Sequence, residues 1–442
     1  MRVRYDELIP ALKSLLSEKK LDLIGRVVAF IRRLREIRAS VFVWSVVLSR
    51  FGHGRPGFEQ ARQWYARLGG VELWPRPFQV RFKSPAAVQL FERAFEDAVQ
   101  PWRRRRRARH MLARAFPDVV AVDSTLLQLD DALRPIFKGA RGAASSLKAL
   151  LTISVFGLVP LHAALVAGHQ HDMRLFPPLD TFVKGTLLLF DKGFVAYDRL
   201  REIQAAAHHY LCPMRLNGNA IVLRARRAPK YVRKALRAHP EGVWLRDLLP
   251  ADKRIRKPWD LEVALWPKTQ ARSRQQVRTR LVIVPGPKSA QRPYLTSLTA
   301  RAWPPRALAE LYRLRWQVEL VFKELKQDLN LASIPTKDPH AAQVFVWASL
   351  VALALSRTVA TWLVPLASFV GLGASVRPAV LSRALRSHVR LFARALTATA
   401  RDARLLLELL ADDLLAESRQ LQPERDDSFQ RLIPLLPRSA AA

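Results

Sequence analysis

Two short apolar runs each end in an aspartate: Val119-Val120-Ala121-Val122 before Asp123, and Thr186-Leu187-Leu188-Leu189-Phe190 before Asp191. Short, continuous, β-branched or aliphatic runs of this kind read as buried strands. They rule out an all-helical chain and demand a sheet covered by other elements. A carboxylate at the mouth of such a strand is rigidly aimed, yet it costs desolvation energy unless a cation or donor neutralises it. Either aspartate alone reads simply as the first residue of a turn. Two of them, joined by a third carboxylate from a helix, would suit a pair of divalent metals, since hard cations want oxygen ligands.

The surrounding periodicities set the organisation. Residues 1–115 read as helical, with apolar residues at helical spacing in LIPALKSLL, LIGRVVAFIRRL and AAVQLFERAFEDAV, the last of these begun by Ser84-Pro85. FGHGRPG at 51–57 is a loop by its glycine and proline content. The arginine run at 103–107 is either a solvated helix face or a clamp on a polyanion backbone. LKALLTISVFGLVPLHAALVAG (147–168) reads as two strands around a turn at Gly157–Pro160. TLLLF is a further strand, VAYDRLREIQAAA (195–207) a helix, and HHYLCPM (208–214) a strand again. Strands followed by strand–helix–strand indicate a mixed α/β domain. Residues 215–300 are rich in Arg, Lys and Pro with alternating runs such as LEVALW and TRLVIV, and read as a β-rich insertion. Helical character then persists to about 420 and a frayed RSAAA tail ends the chain.

The 442 residues carry 73 Lys+Arg against 37 Asp+Glu, a formal net charge of +36. Such an excess calls for a polyanionic partner or an anionic surface, and nucleic acid is the leading choice. The single cysteine, Cys212, excludes an internal disulfide and a cysteine zinc cluster, which fits a reducing cytosol. The first sixteen residues are charged throughout and hold no apolar signal-peptide core. AAQVFVWASLVALALS at 341–356 and VATWLVPLASFVGLGASV at 359–376 imitate a membrane span, but Arg357 splits them and Pro365 interrupts the second. The first run is also shorter than the roughly 20 residues a span needs, so buried helices are the preferred reading.

The third carboxylate is sought in LYRLRWQVELVFKELKQDLNL, residues 311–331. At roughly 100° per residue, Leu311, Leu314, Val318, Phe322, Leu325 and Leu329 form one apolar stripe. Tyr312, Arg315, Glu319 and Lys326 fall in an adjacent arc of about 60° on the same wheel. Glu310, Glu324 and Asp328 point away, and Glu324 reads as solvated. Glu319 is therefore the glutamate at the edge of the buried face.

These residues carry a resemblance. Tyr312, Arg315, Glu319 and Lys326 stand in the pattern Y-(2)-R-(3)-E-(6)-K, and Gly185, Asp191, Gly193 and Phe194 fit G-(5)-D-(1)-G-F. Asp123-Ser124-Thr125 follows a strand in a D-S/T-T setting. In this order the three motifs resemble the bacterial insertion-sequence DDE transposases of insertion sequence family four, over roughly residues 116–335. Lys192 after the second aspartate departs from the family's usual arginine. The resemblance implies a ribonuclease-H-like catalytic domain formed by residues 116–214 and 301–335. The β-rich insertion 215–300 interrupts it, and it is flanked by a helical DNA-binding region 1–115 and a helical region 336–442. It further implies that Asp123, Asp191 and Glu319 are the catalytic residues and hold two Mg²⁺ ions, with Mn²⁺ able to substitute. Tyr312, Arg315 and Lys326 would contact DNA phosphates; a planar guanidinium suits that task. The implied activity is cut-and-paste transposition, through cleavage and strand transfer at terminal inverted repeats and a target duplex. It would proceed as a dimer in the synaptic complex, on the nucleoid in the bacterial cytoplasm. In such enzymes an insertion tryptophan can stack on a flipped base, for which Trp244, Trp259, Trp266 and Trp303 are available.

Two features stand outside these motifs. HQHD at 169–172 lacks a fourth ligand for a transition metal and reads as a polar loop, with Asp172 a minor candidate for assisting the site. Asp130-Asp131 reads as a surface turn. The alternatives are a catalytically inactive, transposase-derived DNA-binding protein, and a basic membrane-associated protein, which would leave the two aspartates and the helix wheel unexplained.

Overall fold

The computed structural model describes residues 5–32, 36–52, 57–103, 111–140, 142–216, 220–250, 255–265, 276–286, 291–369 and 378–419, with Leu432 and Leu435. Arg104–Arg107 of the arginine run, residues 53–56 of the glycine-rich loop, Trp266, residues 370–376 and the RSAAA tail lie outside these residues.

The N-terminal part is helical: α1 (Tyr5–Leu15), α2 (Glu18–Val27), α3 (Ala39–Ser49), α4 (Phe58–Gly69), α5 (Pro75–Phe82) and α6 (Pro85–Arg103). Ser84 caps α6 as its sequence suggests, its hydroxyl accepting from Ala87 N–H at 3.1 Å. The sheet begins with β1 (Val119–Gln128), β2 (Ser146–Ser154), β3 (Val159–Ala167) and β4 (Leu187–Phe190). Helix α7 (Tyr197–Ala205) crosses over to β5 (His209–Pro213). Then come β6 (Ala220–Arg227), α8 (Lys230–Ala238), β7 (Val243–Trp244), α9 (Leu245–Leu248), β8 (Trp259–Leu265), β9 (Val277–Pro285) and β10 (Gln291–Thr296). The chain closes with α10 (Pro305–Arg313), α11 (Gln317–Gln327), α12 (Pro339–Phe369), α13 (Pro378–Ser387), α14 (Val389–Thr397) and α15 (Ala400–Arg419).

The described strands form one sheet in the order β3-β2-β1-β4-β5-β10-β9-β8-β6-β7. β1, β2 and β3 are an antiparallel meander, whereas β4 and β5 run parallel to β1. This 3-2-1-4-5 order is the ribonuclease-H-like arrangement. Strands β10, β9, β8 and β6 extend it antiparallel from β5. Along β1 the side chains alternate between two cores: Val119 and Ala121 join the helical flanks, Val120 and Val122 the α7 side. Continuous apolarity thus reflects burial on both faces. Gly185 enters β4 at φ 88°, a left-handed conformation that glycine adopts without steric cost, and donates to Ala207 O at 2.8 Å.

Four expectations need correction. Asp123 does not end its strand, because β1 continues to Gln128 by pairing with β2 after its pairing with β4 has stopped at Val122. The turn after β2 lies at Val155–Leu158, since β3 already begins at Val159. The span-like stretch is a single helix that runs through Arg357, and Pro339–Leu363 has the length and composition to cross a membrane. Its most apolar window is nevertheless 89% buried inside the protein, and Arg357 is 1% exposed. Residues 311–331 are not one helix: a 3₁₀ turn at Leu314–Trp316 separates α10 from α11.

Candidate active site

The β1–β4 register places both strand aspartates together. Val122 pairs with Phe190, so Asp123 and Asp191 each follow the last residue paired between β1 and β4, Asp191 just past the end of β4 and Asp123 where β1 runs on beside β2. The 3₁₀ turn and α11 pack over β1, with Leu311, Leu314, Val318 and Leu329 fully buried beneath. That packing carries Arg315 and Glu319 to the aspartates. Arg315 Nη1 donates to Asp123 Oδ2 at 2.5 Å, and Nη2 donates to Glu319 Oε1 at 2.7 Å. The guanidinium therefore bridges the first and third predicted carboxylates. Its Nε is buried with no hydrogen-bond partner among the described residues.

The charges are coupled. Burial is the main influence on the Asp123 carboxyl and raises it above the usual range; Arg315 opposes this, while Asp191 and Glu319 add to it. Burial lowers the Arg315 guanidinium, but Tyr312, Asp123 and Glu319 together outweigh that and raise it. Tyr312 packs against Tyr294, lies under Arg315, and donates its hydroxyl to Phe190 O at 3.5 Å. It thereby pins the end of α10 to the end of β4, and burial raises its phenol well above the ordinary value. Lys326 lies further along α11, half-buried, with burial lowering its ammonium. Among the described residues, no group of three or more His, Cys, Asp or Glu side chains has the spacing of a metal-ligand set. Between Asp123 and Glu319 that space is taken by the Arg315 fork.

The rest of the wheel behaves otherwise than its sequence implies. Glu324 is not solvated: it is 3% exposed and forms a double hydrogen bond with Arg357, Nη1 to Oε1 at 3.0 Å and Nη2 to Oε2 at 2.5 Å. Asp328 is also buried and meets Arg383 at 3.4 Å. The reason is that α11 is covered on two sides, by the sheet and by α12, and a wheel drawn for one buried face has no second one. Glu310 stays half-buried beside Arg313.

Of the four tryptophans, Trp259 and Trp303 are buried, Trp303 stacked on Phe116 with ring centroids 5.2 Å apart. Trp244 is half-buried under Arg246. Asp130 accepts from Ala132 N–H in an exposed turn. Asp172 accepts from the Ser124 hydroxyl and forms an ion pair with Lys148, a residue that the motifs do not single out. The one signal for Lys148 is a lysine inside the apolar run LKALLTIS.

This fold and this grouping define a ribonuclease-H-like α/β protein with acidic residues gathered where the pairing of its two central parallel strands ends. Residues 114–355, more than half of the chain, match the family described as "Transposase DDE domain", and the chain belongs to that family. It is 37% identical over 92 residues to the transposase for insertion sequence element IS421 of Escherichia coli, across 21% of this chain and 25% of that protein. It is 22% identical over 272 residues to the transposase for IS231F of Bacillus thuringiensis subsp. israelensis, across 54% of this chain and 56% of that one. A solved piggyBac transposase synaptic complex with hairpin DNA aligns with a TM-score of 0.47 and 9% identity, over 95% of this chain and 86% of that one. The chain thus spans between a quarter and just over half of these curated relatives.

Proposed function

We propose that this protein is a Mg²⁺-dependent transposase of the insertion-sequence-four type, cutting transposon ends and joining them to target DNA by cut-and-paste transposition. The observation that carries the reading is the Arg315 bridge between Asp123 and Glu319, beside Asp191. Two of the three carboxylates share the half-buried Arg315 and the third follows the strand beside Asp123, and carboxylate oxygens are the donors that hard divalent ions prefer. Like charges and burial already penalise Asp123 when ionised, and a cation relieves that penalty. Asp123, Asp191 and Glu319 would hold the ions, two Mg²⁺ by family resemblance, with Mn²⁺ as substitute. When bound, the ions supply Lewis-acid polarisation of the attacking and leaving oxygens in an in-line displacement at phosphorus.

The chain's own residues do the positioning. Tyr312 holds the end of α10 against the end of β4, so the carboxylates keep their spacing as DNA enters. Arg315 neutralises two of them and presents the planar fork suited to a phosphate, while Lys326 offers a second cation on α11. Away from the site, Lys230, Arg233, Lys234 and Arg237 on α8, with Arg256 and Lys257 nearby, have no ion-pair partner among the described residues. Lys230, Arg233, Arg256 and Lys257 line a cleft of about 580 Å³ on the insertion, which supports duplex DNA, end and target, as the partner. Trp244 is the tryptophan left accessible for base stacking among the three described. In this reading the domains run 1–115, 116–214 with 301–335, 215–300 and 336–442. Pairing of two ends requires a dimer, working on chromosomal DNA in a bacterial cytoplasm.

The test is cleavage and strand transfer on DNA bearing the element's terminal repeats, with Mg²⁺. Wild-type protein should cut and join, and Asp191→Asn and Glu319→Gln should bind the same ends but cut at least 10³-fold more slowly, an order-of-magnitude expectation for removing a metal ligand. Unchanged cleavage by Glu319→Gln would sink the assignment, and binding without cleavage by wild-type protein would indicate an inactive descendant.

A further inference from the structure

We propose that Asp172 is a positioning residue of this site, tying the β1 segment that carries Asp123 to the turn that carries Asp191; the inference rests on the function proposed above. Asp172 opens a 3₁₀ turn just after β3, and His171 before it caps that turn, its Nδ1 accepting from Met173 N–H at 3.3 Å. From there the carboxylate reaches two places. Its Oδ1 accepts from the Ser124 hydroxyl at 2.8 Å, and Ser124 N–H donates at 2.8 Å to Oδ1 of Asp123. Its Oδ2 lies 3.4 Å from the point where a Cβ on Gly193 would stand, against the turn two residues beyond Asp191. One side chain therefore bonds the immediate neighbour of the first aspartate and faces the turn that follows the second.

The charge of Asp172 is already balanced. Lys148 Nζ lies 2.9 Å from Oδ1 and also donates to Gln170 O. Lys148 projects from the middle strand of the meander and its side chain is only 11% exposed. A buried lysine in an apolar strand costs desolvation, which its pairing with Asp172 offsets. The pair does not compete with Asp123, Asp191 and Glu319 for a cation, so Asp172 acts through its neighbours and is not a fourth ligand. Hydrogen bonds that hold a ligand's neighbours in place set the ligand's orientation, and removing them commonly costs about 10–100-fold in metal affinity or activity.

The experiment compares full-length wild type, Asp172→Ala, Asp172→Asn and Ser124→Ala in three measurements: Mn²⁺ binding without DNA, single-turnover cleavage across Mn²⁺ concentrations, and amide exchange at Ser124 and Gly193. Asp172→Ala should weaken Mn²⁺ binding and slow cleavage by about 10–100-fold, with faster exchange at both amides. Asp172→Asn keeps an acceptor for Ser124 and the packing against Gly193, and should recover most of both effects. Ser124→Ala should shift Mn²⁺ binding in the same direction by less. If Asp172→Ala lowers the melting temperature while Mn²⁺ affinity, cleavage and exchange stay at wild-type values, the residue is merely structural and the proposal fails. Should Asp172→Ala not fold, wild-type Mn²⁺ affinity and unchanged exchange in Ser124→Ala overturn it equally. If wild-type protein neither binds Mn²⁺ nor cuts, the function proposed above falls and this inference with it. An active wild type with an indifferent Asp172→Ala defeats the positioning role alone.

Discussion

Glu319 and Glu324 lie five positions apart on α11 and meet opposite environments. Glu319 stays 43% exposed at the site, bound to Arg315, while Glu324 is sealed against Arg357, whose side chain has no exposure. A buried pair of this kind is weak evidence of net stabilisation, but breaking it strands a charge. Arg357→Met should therefore lower unfolding free energy by about 3–5 kcal/mol, measured by urea denaturation. Arg357→Met with Glu324→Leu should restore most of that stability; if the double variant is no more stable than the single one, the stranded charge is not the cause. Asp123 makes a second residue-scale case. Its folded carboxyl holds its proton to higher pH than an unfolded one, chiefly through burial, so its contribution to stability is present at low pH and lost as pH rises through the folded value. Asp123→Asn should then melt higher than wild type at pH 7, with the gap closing below about pH 4. A gap that persists at pH 3 would assign the difference to packing.

At the scale of elements, the decisive unit is α10–3₁₀–α11. The tighter turn at Leu314–Trp316 sets the phase with which Arg315 and Glu319 leave the sheet, and Tyr312 and Asn330 hold the two ends. Asn330 ends the segment at φ 59°, donating from Nδ2 to Arg50 O at 2.9 Å and to Gly52 O at 3.0 Å. In return Arg50, fully buried with its guanidinium lowered to about 9 by desolvation, donates to Asn330 O at 2.7 Å and to Ser349 Oγ at 2.9 Å. This knot joins the N-terminal helices to α11 and α12. Asn330→Gly keeps the left-handed backbone and removes only the side-chain bonds, at a cost of about 1–3 kcal/mol. Asn330→Ala removes the bonds and adds about 1–2 kcal/mol of strain. Guanidinium unfolding should therefore rank wild type above Asn330→Gly above Asn330→Ala. The reverse order for the two variants would remove the strain argument.

The whole molecule shows its charge and its buried histidines together. His162, His208 and His209 sit on or beside strands of the sheet, and burial lowers all three imidazoles. Their neutral forms suit the fold, so their contribution is present above about pH 6.5 and is lost as pH falls from there through the depressed folded values. Thermal melts should show the melting temperature dropping between pH 7.5 and 5. Replacing all three with glutamine should flatten that drop; an unchanged slope would assign it to other groups. The cationic surface predicts a salt effect. Changing Lys230, Arg233, Lys234 and Arg237 to glutamine should reduce the slope of log affinity against log salt by about 0.9 for each phosphate that is no longer neutralised. An unaltered slope would mean that DNA does not touch α8.

Much of this architecture is written in local pattern. Apolar continuity in VVAV and TLLLF predicts buried strands, and β1 and β4 are buried along these residues. The apolar stripe of residues 311–329 lies buried as its spacing requires, because helical periodicity is a local property of the backbone. What a linear pattern cannot carry is anything that depends on a partner distant along the chain. Asp123 continues its strand because β2 remains beside it, Glu324 is buried because α12 brings Arg357 over it, and Lys148 is tolerated because Asp172 arrives from the turn after β3. A one-dimensional pattern records how each segment faces one core. Only tertiary packing decides whether a second element covers the other side, and thus which charges are solvated, which are paired, and which are gathered at one point.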